Sequence, residues 1–188
     1  MAVRVLVAED EWLTAAALRS QVESQGYQVV GTVETGTGVL EARRAESFDL
    51  VLMDVQMPEL DGLEATRLLM RSCPACVVIV TGKGQLKDTA EQAGAMGYAV
   101  KPLMPNQITP LVESSCRRFS LFMRVRAQVS DSAEVVPTWL LVLKAMKAQI
   151  NGSATSEEEA FGLLERQSSE QGISLRQAAE EWLKAKGQ

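Results

Sequence analysis

The sequence predicts an α/β fold: a parallel, doubly wound sheet followed by an all-helical segment. Short apolar runs, too brief for helices, alternate with stretches of helical spacing up to Pro105. Several runs are apolar throughout rather than at every second residue, which is typical of strands buried on both faces. Beyond Pro105 no further strand is predicted, and apolar residues recur at steps of three and four. The pattern therefore indicates a sheet domain first and helices after it.

Five strands are predicted, over residues 3–8, 27–33, 48–53, 77–81 and 98–100. The helices between them are predicted over residues 12–25, 37–45, 63–71 and 86–95. Gly26 is well placed as the C-cap of the first helix, and Pro74 closes the third. Strands and helices that alternate in this way are typical of parallel strands joined by crossover helices.

The helical tail begins with a coiled-coil repeat of apolar or small residues, which includes Phe119, Phe122 and Leu143. One interpretation is a single amphipathic helix docked on the sheet as far as Phe119. Beyond that residue we favour a protruding helix that pairs with another chain. Pro137 is expected to kink or break this helix.

Two shorter helices are predicted after a polar break at residues 151–156. Ser156, followed by three glutamates, predicts a helix start with a capping box, and Ser174 begins the last helix. The predicted domains are therefore a sheet domain over 1–118, a coiled-coil linker over 119–136 and a small three-helix domain over 137–188.

Composition limits the possible functions. The chain has no histidine, which excludes histidine-based acid–base catalysis and histidine-ligated metals. A net charge of −5 argues against non-specific nucleic-acid binding by the chain as a whole. No apolar run of about 18 residues and no signal-peptide pattern are present, so a cytoplasmic location is expected.

The cysteines are Cys73, Cys76 and Cys116, which make no even disulfide framework. Cys73 and Cys76 have the spacing of a redox motif, but they fall at a helix-to-strand junction, whereas a thioredoxin-like site starts at a helix N-terminus. We expect structural thiols in a reducing compartment.

Polar side chains stand where four of the predicted strands end: Asp10, Asp54, Thr81 and Lys101. The carboxyl ends of parallel strands lie along one edge of a sheet, so these side chains should converge. Carboxylate oxygens suit Mg²⁺, which takes one or two carboxylates from a protein and keeps several waters. The sequence therefore predicts an acidic magnesium site with a nearby hydroxyl and ammonium.

The segments VLVAEDE, MDVQMPELDG, VTG and GYAVKP together resemble the receiver domain of two-component response regulators, over residues 1 to about 118. The resemblance implies a flavodoxin-like strand order, 2-1-3-4-5, and a phosphoryl group transferred from a histidine kinase to Asp54. It implies Mg²⁺ ligands at Glu9, Asp10, Asp54 and the backbone carbonyl of Gln56. Lys101 and Thr81 would contact the phosphoryl oxygens, and Tyr98 would turn inward as Thr81 moves.

The resemblance is not complete at the first acid, because Glu9 stands where the family most often has aspartate. The longer side chain should still reach a hydrated magnesium ion. Aspartyl-phosphate chemistry also occurs in phosphatases, which need a second aspartate two residues after the nucleophile, where this chain has Gln56. We therefore expect a switch without a small-molecule substrate, which accepts phosphate and loses it slowly, and not a turnover enzyme.

The tail, with SEEEAFGLLERQ followed by SLRQAAEEWL, resembles the ANTAR domain, an RNA-binding module of antitermination regulators, over residues 119–185. The resemblance implies an RNA hairpin partner, a homodimer through the helical linker and control of transcription antitermination. The candidate RNA contacts are Lys144, Lys147, Arg166 and Arg176. The module's usual Ala-Lys-Gly falls on Ala145, Met146 and Lys147, so its lysine is absent from its place. The alternative is a tail that acts through protein contacts.

Overall fold

The computed structural model describes residues 3–45, 48–150 and 154–187, and within them five parallel strands form one sheet in the order β2-β1-β3-β4-β5. The strands are β1 (Arg4–Ala8), β2 (Gln28–Val33), β3 (Leu50–Met53), β4 (Cys76–Thr81) and β5 (Gly97–Val100). Each neighbouring pair is parallel. The predicted doubly wound fold and its strand order are confirmed.

Four helices connect the strands: α1 (Trp12–Ser24), α2 (Gly36–Arg44), α3 (Gly62–Ser72) and α4 (Lys87–Ala93). A fifth helix, α5 (Pro105–Gln128), follows β5. Side chains fix two of the helix starts. Thr35 Oγ1 accepts from the Gly38 N–H at 3.0 Å, and Asp61 Oδ1 accepts from the Glu64 N–H at 2.8 Å. Gly94 ends α4 at a φ of 101°, where L side chains are disfavoured. The starts of α2 and α3 thus depend on short polar residues in the loops that follow β2 and β3.

The central strands are apolar because both of their faces are covered. Every residue of β3 and β4 is buried, and the neighbouring β1 is buried from Val5 onward. The edge strand β2 is half-buried except at Gln28 and Thr32, which are exposed. This burial holds the carboxyl ends of β1, β3 and β4 in fixed register.

The chain divides into two compact units, Met1–Phe119 and Ser120–Gln188. Within the described part of the second unit, the last turns of α5 are followed by α6 (Ser132–Ile150), α7 (Glu157–Gln171) and α8 (Leu175–Ala185). Residues 151–153 of the predicted polar break lie outside the described residues. None of the helices that the structure describes is long and apolar enough to cross a membrane.

The predicted linker helix over 119–136 is not continuous, because α5 ends at Gln128 and α6 begins at Ser132. Pro137 was expected to kink or break the helix, and the break does not occur, since α6 runs through Pro137. Pro137 lies in the second turn of α6, so it removes a single hydrogen bond near the helix start, and its fixed φ suits a helix. The chain turns at residues 129–131 instead.

Part of the apolar repeat is buried inside the tail itself. Phe122 of α5 meets Trp139 of α6 edge to face, with ring centroids 6.0 Å apart. Phe161 of α7 is fully buried, and the Arg124 guanidinium stacks 4.6 Å above its ring. Arg124 also forms ion pairs with Glu158 and Glu165 of α7. Phe122 and Leu143 of the predicted repeat are therefore buried within one chain. Pairing with a second chain stays a prediction.

The capping of α7 differs from the prediction by one residue. Ser156 Oγ accepts from the Glu159 N–H at 3.2 Å, as a capping residue should. The Glu159 carboxylate, however, accepts from the backbone and hydroxyl of Thr155, at 2.7 and 2.6 Å. A complete capping box occurs at the next helix, between Ser174 and Gln177.

Candidate functional site

Asp54 lies directly after β3, with its carboxylate at the end of the sheet. Its backbone N–H donates to the Ala8 carbonyl at 2.9 Å, which fixes the residue beside the end of β1. Oδ1 accepts from the Val55 N–H at 2.7 Å, and Oδ2 accepts from Lys101 Nζ at 2.9 Å. The residue is 8% exposed. One carboxylate edge is therefore held in place while the group keeps access to solvent.

Glu9 and Asp10 stand beside Asp54 at the end of β1. The Glu9 N–H donates to the Val33 carbonyl at 2.9 Å, and the residue is 3% exposed, whereas Asp10 is exposed at the mouth of the site. A carboxylate oxygen from each of Glu9, Asp10 and Asp54 lies within 4.8 Å of the others. Burial raises the pKa of Glu9 above its usual value, although its hydrogen bond to Lys101 acts in the opposite direction.

Lys101, which follows β5, brings its ammonium group between two of these acids. Nζ donates to both Glu9 Oε2 and Asp54 Oδ2. Burial disfavours the ammonium, but the hydrogen bonds and ion pairs with Glu9 and Asp54 outweigh it and hold the pKa of Lys101 above its usual value. The peptide bond from Lys101 to Pro102 is cis. The sequence predicted a lysine at this edge, but not a direct pairing with both acids.

The oxygen cluster fits Mg²⁺ by the chemistry of its donors. Three carboxylates face one another with one ammonium among them, so negative charge is left for a further cation. All candidate donors are hard oxygens, one buried and one at the open mouth, which suits an ion that keeps part of its water shell. Gln56, whose carbonyl is the fourth predicted ligand, lies exposed in the loop after β3.

Thr81 and Tyr98 both contact the loop at Lys83. Thr81 is the last residue of β4 and is 1% exposed, and its Oγ1 accepts from the Lys83 N–H at 3.4 Å. The hydroxyl of Tyr98 on β5 donates to the Lys83 carbonyl. The Lys101 N–H donates to the Thr81 carbonyl at 2.9 Å, which joins the ends of β4 and β5. A movement of Thr81 would therefore be transmitted to Tyr98 through the backbone of Lys83.

Gly62 keeps the loop after β3 close to the site. Its N–H donates to the Val55 carbonyl at 2.9 Å, and a Cβ at this position would lie 2.0 Å from the Asp54 carbonyl oxygen. Glu59, within the same loop, has a positive φ of 64°. The sequence indicates a turn and a helix start at Gly62, but a space requirement against Asp54 cannot be read from the turn pattern alone.

The four candidate RNA contacts lie on exposed positions of the tail. Lys144 and Lys147 are on α6, Arg166 is on α7 and Arg176 is on α8. Arg176 is already paired with Glu134 and Glu180, at 2.5 and 3.3 Å. All four residues are thus exposed to solvent, but Arg176 already forms ion pairs with two carboxylates.

Replacing Lys101 with methionine should lower the free energy of unfolding at pH 7 by about 3 kcal/mol, because Glu9 and Asp54 lose their buried counter-charge. The pKa of Glu9, already above 4.5, should rise further. The folded variant then binds more protons than the unfolded chain between the two pKa values, so its stability falls as the pH rises through that window. Urea unfolding from pH 4.5 to 8 measures this.

Exposed Lys87 provides the control, and Lys87→Met should change stability little at any pH. A deficit in Lys101→Met that stayed constant on acidification would contradict the electrostatic role of Lys101.

A family model described as the response regulator receiver domain matches residues 5–113. The transcriptional regulatory protein PdtaR of Mycobacterium tuberculosis is 31% identical over 186 residues, which cover 98% of this chain and 91% of that protein. The response regulator GacA of Pseudomonas aeruginosa is 41% identical over 103 residues, 53% of this chain and 48% of that protein. The first similarity extends through both compact units.

Solved structures similar to this chain cover its sheet domain. The signal receiver domain of a modulated diguanylate cyclase from Desulfovibrio desulfuricans superposes with a TM-score of 0.59 at 27% identity, covering 64% of this chain and 98% of that one. The response regulator domain of CheB from Thermotoga maritima gives a TM-score of 0.54 at 28% identity, covering 63% and 96%. These domains share the fold of the sheet domain that carries Asp54 in this chain.

Proposed function

The chain belongs to the response regulator receiver family, and we propose that it is switched by a phosphoryl group that Asp54 receives from a sensor histidine kinase. The observation that carries this proposal is the Asp54 carboxylate, positioned through Oδ1, accessible at the sheet edge and surrounded by Glu9, Asp10 and Lys101. The test is whether one phosphoryl group is incorporated at Asp54, and only when Mg²⁺ is supplied.

In the proposed transfer, an Asp54 carboxylate oxygen forms a bond to phosphorus while the bond from phosphorus to the kinase's histidine nitrogen breaks. Glu9, Asp10, Asp54 and the Gln56 carbonyl would hold Mg²⁺. When bound, this ion neutralises the charge on the transferring phosphoryl oxygens. Lys101 pairs with a further phosphoryl oxygen as a point charge. The chain acts as a switch that loses the phosphoryl group slowly, not as a turnover enzyme.

The loop at Lys83 would transmit the conformational change from Thr81 to Tyr98. We expect Thr81 to donate its hydroxyl to a phosphoryl oxygen, which would end its weak contact with the Lys83 N–H. Tyr98 is bound to the carbonyl of the same residue, so its ring would move together with the loop. The charge that phosphorylation adds at Asp54 supplies the driving force.

An exposed apolar surface beside the acids suits the contact with the kinase. A groove of about 420 Å³ lies between α1 and the segment after β5, with Leu13, Lys101 and Leu103 among its lining residues. Trp12, at the start of α1, is 75% exposed. Exposed apolar surface next to a reactive group is typical of a protein docking site.

The output of the switch is proposed to be control of gene expression through the tail. PdtaR, whose name describes a transcriptional regulatory protein, resembles this chain along both units, which supports that role. The ANTAR-like pattern of α7 and α8 favours RNA hairpins as the target and antitermination as the mechanism. Lys144, Lys147 and Arg166 are exposed, as phosphate contacts would require.

One observation favours the second candidate, a tail that acts through protein contacts. Acidic and basic residues are nearly balanced after residue 119, nine against eight, and Arg176 is engaged by two carboxylates. A surface without an excess of positive charge is expected to bind a nucleic-acid backbone weakly. A homodimer, if it forms through the helices of 119–136, would use exposed residues such as Met123, since Phe122 and Val125 are buried in the tail core.

RNA binding should weaken when the exposed lysines of α6 lose their charge. We expect Lys144→Gln and Lys147→Gln each to lower the affinity of the acetyl-phosphate-treated chain for a labelled RNA hairpin. Each should also reduce the slope of log K against log salt by about one. The binding is measured by titration at several salt concentrations, with Lys87→Gln of the receiver as the control. Absence of salt-sensitive binding in the wild-type chain, with or without phosphate, would overturn the proposal that the tail binds RNA.

A further inference from the structure

The start of α2 contacts the loop between β3 and α3, residues 55–61, which is named the 55–61 loop below. The Gly36 N–H donates to the Leu60 carbonyl at 3.1 Å. Gly36 is buried and is the first residue of α2, and Thr35 caps the helix directly before it. A helix that follows β2 is therefore hydrogen-bonded to the loop that follows β3.

The contact leaves no room for a side chain at residue 36. A Cβ there would lie 2.5 Å from the Leu60 carbonyl oxygen and 2.9 Å from the Cβ of Ala65. The nearer atom belongs to the backbone, so it can move only if the 55–61 loop moves. Ala65 lies within α3, and its Cβ is attached directly to the helix backbone. Gly36 therefore determines how closely Leu60 can approach α2.

The backbone of the 55–61 loop includes a conformation that needs support from outside the loop. Glu59 has a φ of 64°, which is uncommon for residues other than glycine. Such conformations persist where the surrounding structure holds them. The next residue, Leu60, accepts from Gly36, and its own N–H donates to the Pro58 carbonyl at 2.8 Å. The contact with α2 thus holds the loop directly beside its least favourable residue.

Gln56 lies between two fixed points of the 55–61 loop. On one side, the Val55 carbonyl accepts from the Gly62 N–H at 2.9 Å. On the other side, Leu60 is bound to Gly36. Gln56 itself is exposed, so burial does not fix it. The position of its carbonyl is therefore set by the two backbone contacts on either side.

We propose that Gly36 is a positioning residue for Mg²⁺, which acts through the Leu60 carbonyl to hold the Gln56 carbonyl beside the acidic cluster. The inference rests on the proposed function, because it takes the Gln56 carbonyl as a ligand of that ion. The three carboxylates follow β1 and β3, so they do not depend on the contact between Gly36 and Leu60. Loss of a group that orients a metal ligand typically lowers the affinity about 10- to 100-fold.

The test compares the wild-type chain with Gly36→Ala by isothermal titration calorimetry with MgCl₂. One fixed concentration of sucrose, which favours the folded state, is used for every variant. Gly36→Ala should bind Mg²⁺ about tenfold more weakly, because the added methyl group displaces Leu60. Asp54 keeps its hydrogen bonds to Ala8 and Val55. Phosphoryl incorporation from acetyl phosphate should therefore return to the wild-type rate in excess Mg²⁺.

Thr35→Ala is the matched control, because it removes the cap of the same helix without adding atoms toward Leu60. It should lower the midpoint of urea unfolding and leave the Mg²⁺ affinity unchanged. An equal loss of affinity in Thr35→Ala and Gly36→Ala would assign the effect to helix stability and overturn the proposal. Wild-type affinity in Gly36→Ala, or phosphoryl incorporation that stayed low in excess Mg²⁺, would also overturn it.

Hydrogen exchange in the wild-type chain gives a second measurement that does not depend on how well Gly36→Ala folds. If the contact with Leu60 favours Mg²⁺ binding, Mg²⁺ must favour the contact by the same factor. Saturating Mg²⁺ should therefore slow exchange of the Gly36 N–H about tenfold relative to the Gly38 N–H, which is bound to Thr35. Exchange that did not respond to bound Mg²⁺ would overturn the role of Gly36 alone. A wild-type chain that bound no Mg²⁺ and gained no phosphoryl group would overturn the proposed function itself.

Discussion

Replacing Asp54 with asparagine should reduce phosphoryl incorporation from acetyl phosphate to background. Asparagine keeps an oxygen that can accept from the Val55 N–H, but its amide cannot form an acyl phosphate. The wild-type chain should gain one phosphoryl group in Mg²⁺ and none in excess chelator. Intact-mass spectrometry measures the gain, and treatment with hydroxylamine should remove it, because acyl phosphates react with that nucleophile.

Glu59→Gln is the control for this experiment, since it removes an exposed carboxylate from the same loop. It should be phosphorylated like the wild-type chain. Hydroxylamine-resistant phosphate in Asp54→Asn would place the acceptor on a hydroxyl elsewhere. Phosphoryl incorporation that persisted in excess chelator would contradict the proposed binding of Mg²⁺ by Glu9 and Asp10.

Gly62→Ala should destabilise the receiver unit by about 3 kcal/mol, the upper end of the cost of overpacking. The added methyl group would lie 2.0 Å from the Asp54 carbonyl oxygen, and backbone cannot rotate away as a side chain could. Relief of the clash must move either the start of α3 or Asp54 itself. We therefore expect slower phosphoryl incorporation as well as a lower midpoint of urea unfolding.

Gly162→Ala is a comparison variant that should raise the stability, whereas Gly62→Ala should lower it. Gly162 lies within α7, and a Cβ there would contact nothing within 4 Å. Alanine should stabilise that helix by about 0.5 to 1 kcal/mol. If Gly62→Ala and Gly162→Ala were equally stable and equally phosphorylated, the close approach of Gly62 to Asp54 would have no energetic meaning.

The sheet and its acidic edge could be predicted because their signals are local. Apolar runs mark the strands to within a residue at β4 and β5, and the rule for parallel sheets then places the carboxyl ends of the strands along one edge. Asp10, Asp54, Thr81 and Lys101 meet at one edge for this reason. Which atoms meet was not predictable, since the double contact of Lys101 depends on side-chain geometry.

The tail was harder to predict, because periodicity marks an apolar face without saying what covers it. Phe122 and Leu143 follow the expected steps, yet they are buried in the core of their own unit rather than at a contact between chains. The turn at residues 129–131 has neither glycine nor proline, so the sequence carries no strong signal for it. Pro137, the residue with the strongest breaking signal, is accommodated near a helix start.

The last turns of α5 determine where this chain can be recombined with others. Leu121, Phe122 and Val125 are buried in the core of the second unit although they belong to a helix that starts in the first. A gene fusion joined at the visible turn, residues 129–131, would transfer α6–α8 without one wall of their core. Exchange of output modules during evolution would therefore have to cut within the helix, before Ser120.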